Sequence, residues 1–217
     1  AHHKMKLLEL FAGSRSIGKE AEQQGYEVFS IDINNFKDID LVIDILELKK
    51  DMIPFTPDVI WASPPCTYFS VASIGVHWFE DHKPKTKEAL LGMEILNKTL
   101  SIFKWYPNAL YFMENPRGKM RKKVSGIDRT TITYCSYATD ETKVVTMKPT
   151  DIWSNHIYDM FNPNGWVPRP MCFNGNKKCN HEEAPRGSIT GVQGLKGNYE
   201  RSKIPKELCK EIIKSTI

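Results

Sequence analysis

Two hydrophobic textures alternate along this chain. Leu7-Leu8-Glu9-Leu10-Phe11, Glu27-Val28-Phe29-Ser30-Ile31, Leu41-Val42-Ile43, Asp58-Val59-Ile60-Trp61-Ala62 and Ala109-Leu110-Tyr111-Phe112-Met113 are short apolar runs rich in branched and aromatic side chains. Runs of this length and type predict strands buried on both faces. Between them the period lengthens. Residues 16–24 predict a helix capped by Gly25, and residues 87–105 a long amphipathic helix carrying Leu91, Ile95, Leu96, Leu100 and Phe103 near helical spacing. Residues 130–136 and 143–147 supply the expected sixth and seventh strands. Strands alternating with helices imply an α/β, Rossmann-like fold with a mostly parallel seven-stranded sheet covered on both sides. After Asn155 the texture changes: residues 156–196 are rich in Pro, Gly, Asn, Cys and His and show no sustained period. That stretch reads as a small irregular insert or a long functional loop. Helical character returns at residues 205–217, with proline in the first turn. The expected division is therefore a main domain over 5–155, an insert over 156–196 and a segment over 197–217 that returns to the main domain.

Composition narrows the picture modestly. At 217 residues, 41% hydrophobic and 26% charged, the chain can bury one sizeable core and has ordinary globular content. No apolar stretch approaches the about 20 residues that span a bilayer, and no leader-like segment opens the chain, so no membrane partner is expected. Ala1-His2-His3 reads as the remnant of an affinity tag, which places the natural start at or near Met5. Five cysteines, an odd number at irregular spacing, argue against a disulfide framework and for a reducing, cytoplasmic compartment. The net charge of +4 merely permits a polyanionic partner. Its distribution says more, since Arg117, Lys119, Arg121, Lys122 and Lys123 crowd one segment. Lys203, Lys206, Lys210 and Lys214 read equally well as a solvated helix face.

Chemistry is expected at the strand ends. Ser63-Pro64-Pro65-Cys66 follows the fourth apolar run directly, and two prolines without N–H groups end that strand sharply. Their fixed φ aims the Cys66 thiol by backbone, as a nucleophile needs, although a lone cysteine is often just inert packing. Asp32, Asp44 and Glu114 stand at the ends of the second, third and fifth runs. Each alone reads equally as a cap, but in a doubly wound sheet all of them face one crevice together with Cys66. Phe11-Ala12-Gly13 offers a tight turn for close ligand approach, and a carboxylate after the second strand suits a ribose diol. Without a full G-x-G-x-x-G, a dinucleotide is not expected.

The order of these segments resembles the cytosine-C5 DNA methyltransferase family, and most closely its compact bacteriophage-type members. Phe11-Ala12-Gly13-Ser14-Arg15-Ser16-Ile17-Gly18 is similar to the family's first motif, with Ser-Arg-Ser where glycines are usual. Ser63-Pro64-Pro65-Cys66 with Phe69-Ser70 matches its catalytic Pro-Cys loop, Glu114-Asn115-Pro116 its Glu-Asn-Val, and Arg201-Ser202-Lys203-Ile204-Pro205 its last motif. The resemblance implies a class I S-adenosylmethionine-dependent methyltransferase fold, double-stranded DNA as substrate, and a bacterial or phage-infected cytoplasm. It assigns the nucleophile to Cys66 and the acid to Glu114, with Lys148 as a loosely placed cation. Cofactor contacts fall on Phe11, Ala12, Gly13, Ser14, Ser16, Ile17, Asp32, Ile33, Asp44, Ile45, Pro64 and Ser202. DNA contacts fall on Ser70, Arg117, Lys119, Arg121, Arg186 and Gln193. Cytosine C5 is a poor nucleophile, so a thiolate must first add at C6 while an acid neutralises N3, and the base must be flipped out to be reached.

Two departures limit the match. The family's Gln-x-Arg-x-Arg strand has no counterpart, since this region reads Cys135-Ser136-Tyr137-Ala138 with Lys148-Pro149-Thr150-Asp151 further on. The insert is short for a target-recognition region, which implies a short recognition sequence or help from a partner subunit or second copy. Cys172, Cys179 and His181 form C-x6-C-x-H, three potential zinc ligands without an evident fourth; His156, Glu182 and Glu183 are the nearest candidates. That spacing matches no common finger, so no metal is expected, with Cys135 and Cys209 in the core. The same chemistry on RNA, and a catalytically silent nucleic-acid-binding subunit, are the alternative readings; the presence of both Cys66 and Glu114 opposes the second.

Overall fold

Residues 3–69, 74–139, 146–182 and 198–217 are described by a computed structural model of the chain. The apolar runs become β1 (Lys6–Leu10), β2 (Glu27–Asp32), β3 (Leu41–Val42), β4 (Val59–Ala62) and β5 (Leu110–Pro116), which pair in parallel. β6 (Arg129–Thr133) and β7 (Pro149–Ser154) complete one seven-stranded sheet in the order 3-2-1-4-5-7-6, with β7 antiparallel to both neighbours. The expected mostly parallel α/β sheet is therefore present. Its order reverses between β1 and β4, the position at which open α/β sheets hold ligands.

Helices α1 (Ser16–Gln23), α2 (Ile74–His77), α3 (Lys87–Trp105), α4 (Asn198–Arg201) and α5 (Lys206–Ser215) surround it. Because successive strand residues point to opposite faces, Leu7, Val59, Trp61 and Phe112 join a core with Ile17 and Ala21 of α1 and Leu208, Ile212 and Ile213 of α5. Leu8, Leu10, Ile60 and Met113 join the other core with Ala89, Leu96, Ile102 and Phe103 of α3. Each branched side chain on α5 that is fully removed from water contributes roughly 1.5–3 kcal/mol to that docking. Lys203, Lys206 and Lys214 lie on the exposed face, so the C-terminal lysines are the solvated face of an amphipathic segment.

Helix ends follow the sequence signals. Gly25 takes φ +88°, Tyr26 N–H donates to Ala21 O and Gly25 N–H to Glu22 O, which closes α1 with a left-handed cap. Thr86 Oγ1 accepts from Ala89 N–H at 3.1 Å and starts α3. The buried stripe of α3 is rotated from the expected one: Ala89, Gly92, Leu96, Thr99 and Phe103 are buried, while Leu91 is exposed. Small residues face inward because the loop after β4 lies close. A Cβ on Gly92 would stand 3.1 Å from both Phe69 and Tyr68.

The seventh strand requires correction. It is Pro149–Ser154 rather than 143–147, of which 143–145 lie outside the described residues. Val144-Val145-Thr146 drew the expectation by branching, whereas Pro149 argued against the following run. Pro149 is in fact the first residue of its strand, where a missing N–H is tolerated. Among the described residues no helix is long and apolar enough to cross a membrane.

Candidate active site

Strand register brings the predicted residues to one edge. Leu10 pairs with both Ile31 and Ala62, and Ala62 with Met113, so the loops carrying Gly13, Asp32, Cys66 and Glu114 leave the sheet side by side.

On the β1 side the turn is held from below and above. Gly13 sits at φ +54° and donates its N–H to Asp32 Oδ2 at 2.9 Å; Asn34 N–H donates to Asp32 Oδ1 at 2.8 Å. Each oxygen keeps a second lone pair, the capacity a diol needs. A Cβ on Gly13 would stand 2.6 Å from Ser202 Oγ, so only glycine lets the C-terminal segment close over this turn. Ser14 N–H donates to Ser202 Oγ at 3.1 Å, and Ile204 N–H to Ser16 Oγ at 3.1 Å. The segments of the first and last motifs are thus in direct contact. Ile33 is 63% exposed beside Asp32, an apolar surface suited to a flat ring. Asp44 caps a single 3-10 turn, accepting from Leu46 N–H at 2.9 Å, and Ile45 behind it is buried. Ile17 is wholly buried in the α1 core, so its side chain serves packing.

Arg15 explains the unusual Ser-Arg-Ser. In a left-handed conformation it turns beneath the loop, where its Nε–H donates to Ser30 Oγ at 2.8 Å and its guanidinium pairs with Glu22 and lies 3.9 Å from Glu9. Glu9 also accepts from Gly18 N–H at 2.8 Å and Ser30 O–H at 2.9 Å, and burial pushes its carboxyl up to about 7. The arginine therefore belongs to a buried network supporting the turn.

On the β4–β5 side the Pro-Cys loop is tied to the acid. Asn115 Nδ2–H donates to Pro64 O at 2.9 Å, and Trp61 Nε1–H to Ser63 Oγ at 2.8 Å. Ser63 in turn donates to the Glu114 carboxylate. Lys119 N–H donates to Phe69 O at 2.7 Å from the far end. Pro64 is buried and Cys66 half-exposed, so the thiol lies at a reachable surface above a fixed base. Glu114 is 6% exposed. Burial raises its carboxyl above the usual range; the Lys148 ammonium and the Ser63 and Tyr134 hydroxyls pull it partly back. Tyr134 O–H reaches Glu114 Oε1 at 3.4 Å, and Lys148 Nζ lies 4.8 Å from the centre of the Tyr134 ring. Burial and the adjacent carboxylate hold the Tyr134 hydroxyl well above its ordinary value, so it stays a donor. Asn115 Oδ1 is buried with no partner among the described residues, an acceptor that a donor-bearing ligand would satisfy. The spare lone pairs of Asp32, the exposed Ile33 and this acceptor would suit a nucleoside-bearing cofactor.

The basic segment divides. Arg117 is exposed, and Lys119 Nζ–H donates to His82 Nδ1 at 2.7 Å. Arg121 grips the wholly buried Asp151 with two bonds of 2.9 and 2.7 Å and serves the scaffold between β6 and β7. Ser70, Arg186 and Gln193 lie outside the described residues, as does Glu183.

Sequence reasoning missed Tyr134 and Cys135, and quoted Ser63 only as part of the Pro-Cys loop without placing it beside Glu114. Tyr134 and Ser63 were legible only as hydroxyls just past strand ends. Cys135, expected in the core, stands with Cys172, Cys179 and His181, their ligand atoms all within 4.8 Å of one another. It is the fourth partner that the sequence did not reveal, because it lies far upstream at the end of β6. His156 goes elsewhere, its Nε2 2.7 Å from Ser215 O.

No family model matches the chain. A Frog virus 3 (isolate Goorha) protein named "Probable DNA (cytosine-5)-methyltransferase" is 27% identical over 96% of this chain and 99% of its own length. A solved protein named "putative DNA modification methyltransferase encoded within prophage" (E. coli) is similar over 79% of this chain and 53% of its own, with 15% identity and a TM-score of 0.50. A DNMT2 mutant from Spodoptera frugiperda is similar over 70% of this chain and 49% of its own, with 20% identity and a TM-score of 0.44. The chain thus spans about half the length of these two solved relatives and almost all of the viral one. The similarity to the viral protein runs nearly end to end.

Proposed function

We propose that this chain is a DNA cytosine-C5 methyltransferase that uses S-adenosylmethionine and a covalent bond from Cys66 to C6 of a flipped-out cytosine. The observation that carries this reading is the coupling of nucleophile loop to acid. The bonds from Asn115 to Pro64 and from Ser63 to Glu114 fix a half-exposed thiol and a buried carboxyl at adjacent strand ends. The full-length match to the viral protein supports the same substrate.

Cys66, as thiolate, forms the S–C6 bond, and the ring's electrons move toward N3 and C5. Glu114, whose burial favours the protonated form, hands a proton or a hydrogen bond to N3 and removes the developing charge. S-adenosylmethionine, when bound, supplies an electrophilic methyl group for C5; Gly13, Ser14, Asp32, Ile33 and Asp44 would hold it, with Ser202 closing the turn. Loss of the C5 proton to solvent, return of the N3 proton to Glu114 and breakage of the S–C6 bond release the thiolate and the methylated base. Ser63 and Tyr134 orient the carboxyl, and Lys148 sets its charge. Arg117, exposed beside the site, grips a flanking phosphate, a sequence-independent attraction, whereas Lys119 is buried with its ammonium on His82. Residues 156–182 belong to the recognition insert.

Bisulfite sequencing of host DNA after expression tests this. Protected cytosines that disappear with Cys66→Ala are expected, within a short sequence context. An unmodified genome with folded protein, or protection that survives Cys66→Ala, overturns the reading; modified tRNA in the same cells would move the substrate to RNA.

A further inference from the structure

Residues 156–182 contain neither helix nor strand and bury little. Trp166 is their one large buried apolar side chain, while Tyr158, Met160, Phe161, Val167, Met171 and Phe173 are exposed. A segment with so little core needs a cross-link to hold one shape. Cys135, Cys172, Cys179 and His181 offer three sulfurs and one imidazole nitrogen within 4.8 Å of one another. A tetrahedral zinc with Zn–S of about 2.3 Å and Zn–N of about 2.0 Å sets ligand–ligand edges of roughly 3.5–3.8 Å. Cys172 Sγ and His181 Nδ1 already stand 3.7 Å apart, so closing the set needs shifts of about 1 Å or less.

We propose that Cys135, Cys172, Cys179 and His181 bind one structural zinc ion that staples the irregular insert to the end of β6. Three thiolates and an imidazole are a borderline-soft donor set that selects zinc over magnesium or calcium. Four protein ligands leave no open position, so the ion is structural rather than catalytic.

The surroundings are built for it. Asn176 Nδ2–H donates to Cys172 Sγ at 3.3 Å, the kind of outer bond that stabilises a metal thiolate. The two ligand-bearing loops are registered by direct bonds: Cys172 N–H to Thr133 Oγ1 at 2.8 Å, Ser136 O–H to Pro170 O at 3.1 Å, and Arg169 Nη1–H to Ser136 O at 3.0 Å. Thr146 bridges Glu182 just beyond His181. One ligand thus comes from the turn after β6 and three from the insert, and the ion joins parts distant in sequence. On binding, the cysteines release their protons, and the ion's affinity for the folded state adds to stability.

The test is metal content of the purified chain, kept reduced and free of chelators. About one zinc per chain by mass spectrometry is expected, falling at least fivefold in Cys135→Ser and Cys179→Ser and unchanged in Cys209→Ser and His156→Gln. Cobalt substitution of the wild-type chain should give the intense visible bands of a tetrahedral thiolate site, so a poorly folded variant does not decide the matter. Less than a tenth of an equivalent after incubation of reduced chain with excess zinc overturns the proposal. So does zinc retained in both cysteine variants, which would place it on other residues such as His2 and His3.

Discussion

Glu9 and Glu114 are two buried carboxyls on central strands of one sheet, and burial is the largest influence raising both. They differ in what lies around them. Glu9 points from mid-strand into the α1 face, wrapped by Gly18 N–H, Ser30 and Arg15; a Cβ on Gly18 would stand 2.4 Å from its Oε1. No ligand fits there. Glu114 stands at a strand end next to the nucleophile loop, and its neighbours are Lys148, Ser63 and Tyr134. A perturbed carboxyl is therefore not by itself the mark of a site. On the proposed reading, what separates chemistry from scaffold is the strand-end position, the tie from the neighbouring Asn115 to Pro64 of the Cys66 loop, and partners that tune the charge of the carboxyl.

Neutralising each acid sharpens that contrast. Glu114→Gln should lower kcat/KM by about 10²–10⁴, the usual worth of a general acid, with the thermal midpoint unchanged or raised. Activity within tenfold of wild type would remove Glu114 from the mechanism. Glu9→Ala should do the reverse. Gly18 N–H loses its acceptor and Arg15 keeps only Glu22 and Ser30, so urea unfolding should show a loss of about 3 kcal/mol. Turnover per folded molecule should stay near wild type. If turnover falls as far as in Glu114→Gln, the division between scaffold and site fails.

The same contrast explains what the sequence made legible. Strand-end acids, the Pro-Cys loop and the helices at 87–105 and 205–217 follow from local periodicity and from proline and glycine, whose effects act within a few residues. The roles of Arg15 and Arg121 were not legible. Both are cations in motif-like segments, yet Arg15 reaches Ser30 and Glu9 on neighbouring strands as well as Glu22 of α1, and Arg121 grips Asp151 on β7. Partner choice across a sheet depends on register, which charge runs do not encode. β7 was missed because Pro149 masks the start of its run, and Cys135 because its companions lie more than thirty residues downstream. Ser202, by contrast, was found through the resemblance of the last motif, and the bond from Ser14 N–H shows why that motif meets the first.

A smaller effect follows from the raised carboxyl of Glu9. Its group moves from 4.5 in the unfolded chain to about 7 when folded. Between those values the folded state holds the extra proton, so stability is greatest below pH 4.5 and declines as pH rises toward 7. The full span is about 3 kcal/mol as an upper bound, and other groups add their own slopes. Glu9→Gln should flatten the decline, because a neutral amide carries no proton to lose. Denaturant titrations at several pH values check this, and an unchanged difference between variant and wild type across the window would sink it.

The smallest effects lie around Glu114, where they are most diagnostic. Lys148, Ser63 and Tyr134 all favour its charged form, in that order of strength. Removing any of them should therefore raise the carboxyl further. Because the reaction needs Glu114 protonated, activity falls as pH rises through its titration, and each variant should move that alkaline limb to higher pH. Lys148→Met should move it most, since an ammonium acts at a distance in a buried site. Ser63→Ala should come next. Tyr134→Phe should move it least, because the contact is a long 3.4 Å, and should reduce kcat by no more than about tenfold, a neutral hydrogen bond being worth about 1 kcal/mol. A limb that shifts to lower pH, or that Tyr134→Phe moves more than Lys148→Met, would mean that these residues position the Pro-Cys loop and leave the charge of Glu114 to burial alone.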